Sequence, residues 1–151
     1  MCCINNIQRG VIYLIIYKIY SEDLDNVVIG EGFFNGWPNP PDNSKHRQIL
    51  EKSYKAIVAI DKTSEEIVGF INAVSDGVLS AYIPLLEVLE EYQDKGIGAK
   101  LVQMMLKELG HLYMVDLLCD KELQLFYEKL GMHRSQGMVV RNYNRQSGRD
   151  I

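Results

Sequence analysis

Between Ala81 and Cys119 the hydrophobic pattern changes twice within forty residues. "AYIPLLEVLEE" reads as a strand, and "GIGAKLVQMMLKELG" then carries Ile97, Leu101, Met105 and Leu109 at helical spacing, with Gly110 placed to end it. "HLYMVDLLC" follows as a near-continuous apolar run, expected to be a strand buried on both faces. A strand, a helix and a strand in this order predict an α/β arrangement in which the helix packs on a sheet. The joint between the first two, "EVLEEYQDKGIGAKL", sets Gly96 and Gly98 one residue apart between lysines. A helix start leaves N–H groups unpaired and carries partial positive charge, and glycine lets an anion approach the backbone closely. The turn from Gln93 to Ala99 is therefore a candidate phosphate cradle, with Lys95 and Lys100 adding charge. A tight loop with solvated lysines has the same spacing, so the pattern alone leaves both readings open.

The rest of the chain supplies the sheet. Residues 1–10 read as a polar leader without periodicity, 11–145 as one domain, and 146–151 as a polar tail. "VIYLIIYKIY", Val11 to Tyr20, is predicted to be the first strand, and "SEDLDNVV" opens a helical pattern with Ser21 as its cap. "GFFNGWPNPPD", Gly32 to Asp42, is too rich in glycine, proline and asparagine for regular structure, yet carries Phe33, Phe34 and Trp37. Aromatics on such a loop either fold back as a plug or line a pocket. "SKHRQILEKS" predicts a short helix, and "YKAIVAID" and "EIVGFINAVSD" two strands joined by "DKTSE". After Cys119, "DKELQLFYEKLG" predicts an amphipathic helix stopped by Gly131. "MHR" and "MVVRNY", with a turn at Gly137, predict a closing hairpin.

Composition excludes several function classes. With 151 residues, 47% hydrophobic and 24% charged, the chain suits one globular domain. Its net charge of −4 argues against a nucleic-acid-binding face. Val11–Tyr20 is too short to span a bilayer and carries Lys18, so no membrane association is expected. Cys2, Cys3 and Cys119 have neither disulfide-framework nor zinc spacing, so no metal is expected; an odd count of cysteines fits a reducing compartment, making a cytoplasmic location the expectation.

Which phosphate compound the cradle suits follows from what is missing. The chain has no Gly-x-x-x-x-Gly-Lys-Ser/Thr loop, and Leu101 occupies the third glycine position of a dinucleotide fingerprint. Asp116, at the right distance for a ribose contact, falls mid-strand. "QDKGIG" instead matches the Q/R-x-x-G-x-G/A signature of the GNAT N-acetyltransferase superfamily, and "LQLFYEKLGM" is similar to that family's second conserved segment. The resemblance covers roughly residues 11–145, its specific part being segments 82–101 and 117–132. It implies the single-domain acyl-CoA N-acyltransferase fold, of α+β type: a mixed, mostly antiparallel twisted sheet of six to seven strands, about four flanking helices, and a splayed central strand pair.

The resemblance also implies acetyl-CoA as donor, its pyrophosphate on the backbone of Gln93, Asp94, Lys95, Gly96, Ile97, Gly98 and Ala99. Leu86 and Val88 would offer backbone hydrogen bonds to the pantetheine arm. Pro84, which has no N–H, independently suggests a strand locally released from its neighbour. The family often has Asn where this chain has Asp120, and a small alanine where it has Leu123; both weaken the usual contact to the cofactor arm, although Asp120 can still cap its helix. A homodimer is one assembly such a chain could form.

Acyl transfer to an amine needs a base, an oxyanion donor and a group to receive the departing thiolate. The resemblance implies Tyr127 as the acid, whereas periodicity alone makes it a core residue. The Val88 N–H is the natural oxyanion donor. Glu87 is the candidate base if its strand turns it inward, and a solvated charge if outward; alternation does not choose. Near Tyr82 some relatives carry a glutamate base; this chain has tyrosine there, which removes that candidate. Phe34, Trp37 and Tyr82 are expected to line an acceptor pocket, while His46 and His111 are expected at the surface or as caps. The expected activity is N-acetyl transfer from acetyl-CoA to a primary amine of a small molecule, peptide or protein. The alternative is a non-catalytic acyl-CoA-binding module.

Overall fold

The computed structural model describes residues 4–8 and 11–150, so Cys2 and Cys3 lie outside the described residues. Its strands are β1 (Ile4–Gln8), β2 (Val11–Ile19), β3 (Val28–Ile29), β4 (Lys55–Asp61), β5 (Glu66–Ser75), β6 (Ser80–Val88) and β7 (Met114–Asp116). The helices are α1 (Asn43–Lys52), α2 (Ile97–Glu108) and α3 (Gln124–Glu128). The sheet runs β1-β2-β4-β5-β6-β7, with β3 pairing the start of β5. Pairing is antiparallel except for β3 with β5 and β6 with β7, which are parallel.

The apolar runs of β4 and β5 are explained by cover on both faces. On one face Ile57, Ala59, Val68 and Ile71 pack against Ile97, Leu101, Val102 and Met105 of α2. On the other, Val58, Ile60, Ile67 and Phe70 pack with Leu50 of α1 and with Leu24, Ile29 and Phe34. Helix α1 starts where the proline-rich loop ends: the Asp42 carboxylate accepts the Lys45 N–H at 2.9 Å. It ends at Ser53, whose hydroxyl donates to the Ile49 carbonyl at 2.6 Å.

Two irregularities open β6. Asn72 pairs Leu85 but Val74 pairs Tyr82, so Ile83 and Pro84 together oppose Ala73. Pro84, lacking an N–H, sits at this bulge, where no ladder bond is required of it. On its other edge β6 pairs β7 only from Ser80↔Met114 to Tyr82↔Asp116, while β6 itself continues to Val88. This is the splayed pair.

Several expected elements change. Ile4–Gln8, expected in a polar leader, pairs with β2 from Gln8↔Val11 to Ile4↔Ile15. The pattern after Ser21 yields one 3-10 turn, Glu22–Leu24, because Val28–Ile29 is drawn into the sheet and the Ser21 hydroxyl bonds the Asp23 carboxylate instead of capping backbone. The run "HLYMVDLLC" contributes only the three residues of β7, an edge strand with Met114 38% exposed. With β7 that short, no ladder remains for a closing hairpin, and Met138 and Val140 are exposed instead. The C-terminal segment turns once in a 3-10 helix, Tyr143–Arg145, and is tied to the proline-rich loop. The Asn39 N–H donates to Gln146 Oε1 at 2.9 Å, and Arg149 pairs with Asp42 at 2.9 Å. None of the described helices is long and apolar enough to cross a membrane.

Candidate active site

The cradle begins where β6 ends. A 3-10 turn, Glu90–Tyr92, follows Leu89, and Tyr92 anchors it: its hydroxyl donates to buried Asp61 at 2.8 Å and its ring meets Tyr13 edge-on at 5.0 Å. Asp94, at φ +58°, and Gly96, at φ +79°, then turn the chain into α2 through left-handed backbone. Gly96, the N-cap of α2, has no side chain with which to cap the N–H groups of its first turn. Around Gly96 nothing lies within 4 Å of where a Cβ would stand; around Gly98 the nearest atoms are in Phe126, 3.8 Å away, and Val88, 3.9 Å away. The backbone from Gln93 to Ala99 is thus approachable, as an anion would require. Lys95 donates to the Glu91 carbonyl at 3.0 Å and stands over the Tyr13 ring at 5.2 Å. Gln93 turns back, its amide donating to the Val88 carbonyl at 2.9 Å.

Alternation along β6 sends Leu86 and Val88 to the α2 face and Leu85 to the α1 face. Glu87 therefore shares the α1 face with Leu85, half-buried, and its carboxylate accepts the Phe34 N–H at 2.7 Å. The choice left open by periodicity is decided: the side chain points inward. Burial raises its pKa above the usual carboxylate value, and the Phe34 N–H opposes that in part.

Tyr127 comes from α3 and is half-buried against the α2-side core, its ring edge-on to Phe126 at 4.9 Å. Burial, with Cys119 nearby, pushes its hydroxyl up to about 12. Tyr127 and Glu87 line one cavity of about 460 Å³ at the splay, together with Trp37, Cys119, Asp120 and Arg141. A second cavity of about 770 Å³ lies between Leu86–Leu89 and Gln93 on one side and Glu31–Gly32 on the other.

Other expected site residues are distributed differently. Phe34 is a plug, 3% exposed against His46 and Phe70, whereas Trp37 beside it is 38% exposed and lines the cavity with Glu87. Tyr82 is not with them: it lines a cleft of about 800 Å³ along β7 and residues 131–137, which also reaches Tyr127. Asp120 stands before the 3-10 turn Lys121–Leu123 without a side-chain cap bond, because that turn is closed by its own carbonyl, which accepts the Leu123 N–H at 3.0 Å. His46, expected at the surface or as a cap, is buried among Phe33, Phe34 and Phe70. His111 sits at the end of α2, Nδ1 3.2 Å from the Glu108 carbonyl. Arg141 drew no attention in the sequence because no motif surrounds it.

Residues 15–132 match the acetyltransferase (GNAT) family. The chain belongs to this family. Among solved structures, an acetyltransferase candidate from Deinococcus radiodurans R1 is 41% identical, with a TM-score of 0.83 over 91% of this chain and 94% of that one. A GNAT-family acetyltransferase from Streptococcus pneumoniae TIGR4 is 27% identical, with a TM-score of 0.63 over 85% of this chain and 98% of its own. Glucosamine-6-phosphate N-acetyltransferase from Arabidopsis thaliana, 20% identical with a TM-score of 0.54 over 65% of this chain and 74% of that one, shares the fold. None of the curated proteins matches this GNAT chain.

Proposed function

We propose that this GNAT protein transfers an acetyl group from acetyl-CoA to a primary amine by direct attack on the thioester. The observation that carries the reading is the meeting of Glu87 and Tyr127 in one cavity at the splay. Gln93 to Ala99 would hold the pyrophosphate and Leu86 to Val88 the pantetheine arm. The amine nitrogen forms its bond to the thioester carbonyl carbon as its proton passes to Glu87, and the C–S bond then breaks. Developing charge on the carbonyl oxygen would meet the Val88 N–H.

Tyr127 sits against the leaving sulfur in this scheme. A hydroxyl at about 12 stays protonated at neutral pH, so it remains an intact donor. Full proton transfer to the thiolate of a thiol near ~8.5 would be uphill, so Tyr127 stabilises the thiolate by hydrogen bonding, and the proton leaving the amine can neutralise it later. The test is acetyl-CoA-dependent thiol release across a panel of primary amines, with mass-spectrometric identification of acetylated product. Turnover with at least one amine, lost in large part in Tyr127→Phe, is the expected result. Tight CoA binding with no product from any amine would support the non-catalytic module instead.

A further inference from the structure

We propose that the acceptor is a small amine with an apolar body and an anionic group at its far end, seated between α1 and the C-terminal segment. This rests on the acetyl-transfer reading above, whose reacting groups lie on the other side of Trp37. A cavity of about 340 Å³, within the size range of small-ligand sites, lies there. Its apolar lining includes Phe34, Ile49 and Leu85, and its charged lining residues are Lys45, Lys52 and Arg145, without a carboxylate among them. Trp37 and Leu85 also line the cavity that holds Glu87 and Tyr127, so the two spaces share a wall. Phe34 links them as well: it borders the cationic cavity while its N–H is bonded to Glu87.

The charges are arranged by end. Glu87 also lines the 770 Å³ cavity, in company with Glu31, Glu90 and Glu91. At the opposite end, Lys45 donates to Gln48 at 3.3 Å, while Lys52 and Arg145 have no ion-pair partner among the described residues. The neighbouring carboxylate, Asp42, is already engaged by Arg149 and by the Lys45 N–H. Arg145 is held in place because the C-terminal segment is tied down at Gln146 and Arg149. An ammonium at the carboxylate end, an apolar body along Trp37, Ile49 and Leu85, and an anion facing Lys52 and Arg145 would match both charges at once. A polycation would match only the first end. A neutral amine would leave the cations solvated and gain nothing from them.

Trp37 is the chain's single tryptophan, so its emission reports binding at this wall directly, without turnover. The protein is titrated, with excitation selective for tryptophan, against 4-(2-aminoethyl)benzoate and phenethylamine, and against tyramine O-phosphate and tyramine. A saturable change with 4-(2-aminoethyl)benzoate or tyramine O-phosphate at least tenfold tighter than with its partner lacking the anion is expected; which of the two binds tells carboxylate from phosphate. The double variant Lys52→Gln, Arg145→Gln should lose that preference at least tenfold while its thermal shift with CoA stays as in the parent. Equal binding of anionic and non-anionic probes, an unchanged preference in the double variant, or no emission change with any probe would overturn the proposal. If the preference holds but no amine is acetylated, the acetyl-transfer reading fails and the anion-selective cavity stands.

Discussion

A carboxylate that accepts the Phe34 N–H while lining a cavity with Tyr127 both ties the loop to the sheet and offers a base. The two roles separate in Glu87→Gln, because an amide oxygen still accepts the Phe34 N–H but takes no proton. The expected outcome is an unchanged melting temperature with a loss of roughly 10²–10⁴-fold in kcat/KM, read by thiol release. In the parent, kcat/KM should fall with acid as Glu87 is protonated, at a pH above the ordinary carboxylate range because burial raises its pKa. Tyr127→Phe should lose about 10²-fold or more in kcat with little change in KM for acetyl-CoA. His46 makes a different prediction. Burial among the aromatic rings holds its pKa down to about 4, and its Nε2 has no hydrogen-bond partner among the described residues. Between about 4 and the ordinary 6.5 the unfolded chain binds a proton there that the folded chain does not. Stability therefore falls as pH drops through that window, by roughly 3 kcal/mol for this group. Urea midpoints at pH 7 and pH 5 should show this decline, and His46→Leu should flatten it.

Among the elements, the start of α2 is the one whose geometry the sequence disclosed most directly, because only a glycine accepts the left-handed φ of +79° at Gly96 without strain. Gly96→Ala should cost about 1–2 kcal/mol of stability and weaken acetyl-CoA binding. Gly98 has ordinary backbone and contacts no nearer than 3.8 Å, so Gly98→Ala should be close to neutral for folding. Paired denaturation curves and CoA titrations of the two variants check the contrast. The α2 stripe of Ile97, Leu101, Met105 and Leu109 is buried as its spacing implied. The neighbouring elements were less legible. "HLYMVDLLC" is apolar enough for a central strand, but its length of pairing is set by where β6 and β7 diverge, a long-range property. "DKELQLFYEKLG" reads as one helix, yet forms a 3-10 turn followed by the five residues of α3.

At the scale of the whole molecule, a ligand that binds only the folded chain must raise its stability. Acetyl-CoA at 100 times its dissociation constant should add about 2.7 kcal/mol, which for a chain of this size is a rise of roughly 5–10 °C in Tm. A melting scan that shows no rise under those conditions would count against the cradle. The seven-stranded sheet places the carboxylate on β6 and the tyrosine on α3 around one gap, although they are separated by forty residues of sequence. What the amino-acid sequence determined by itself is local: the period of β2, β4, β5, β6, α1 and α2, the glycine turn, and the two short segments that mark a GNAT chain. These are written in neighbouring residues because backbone angles and side-chain alternation are short-range physics. Which way Glu87 faces, that His46 is buried, that Tyr82 is parted from Trp37, and that the C-terminal segment closes against α1 were decided only by tertiary structure. Each depends on which distant surface happens to cover a residue, and no local pattern carries that information.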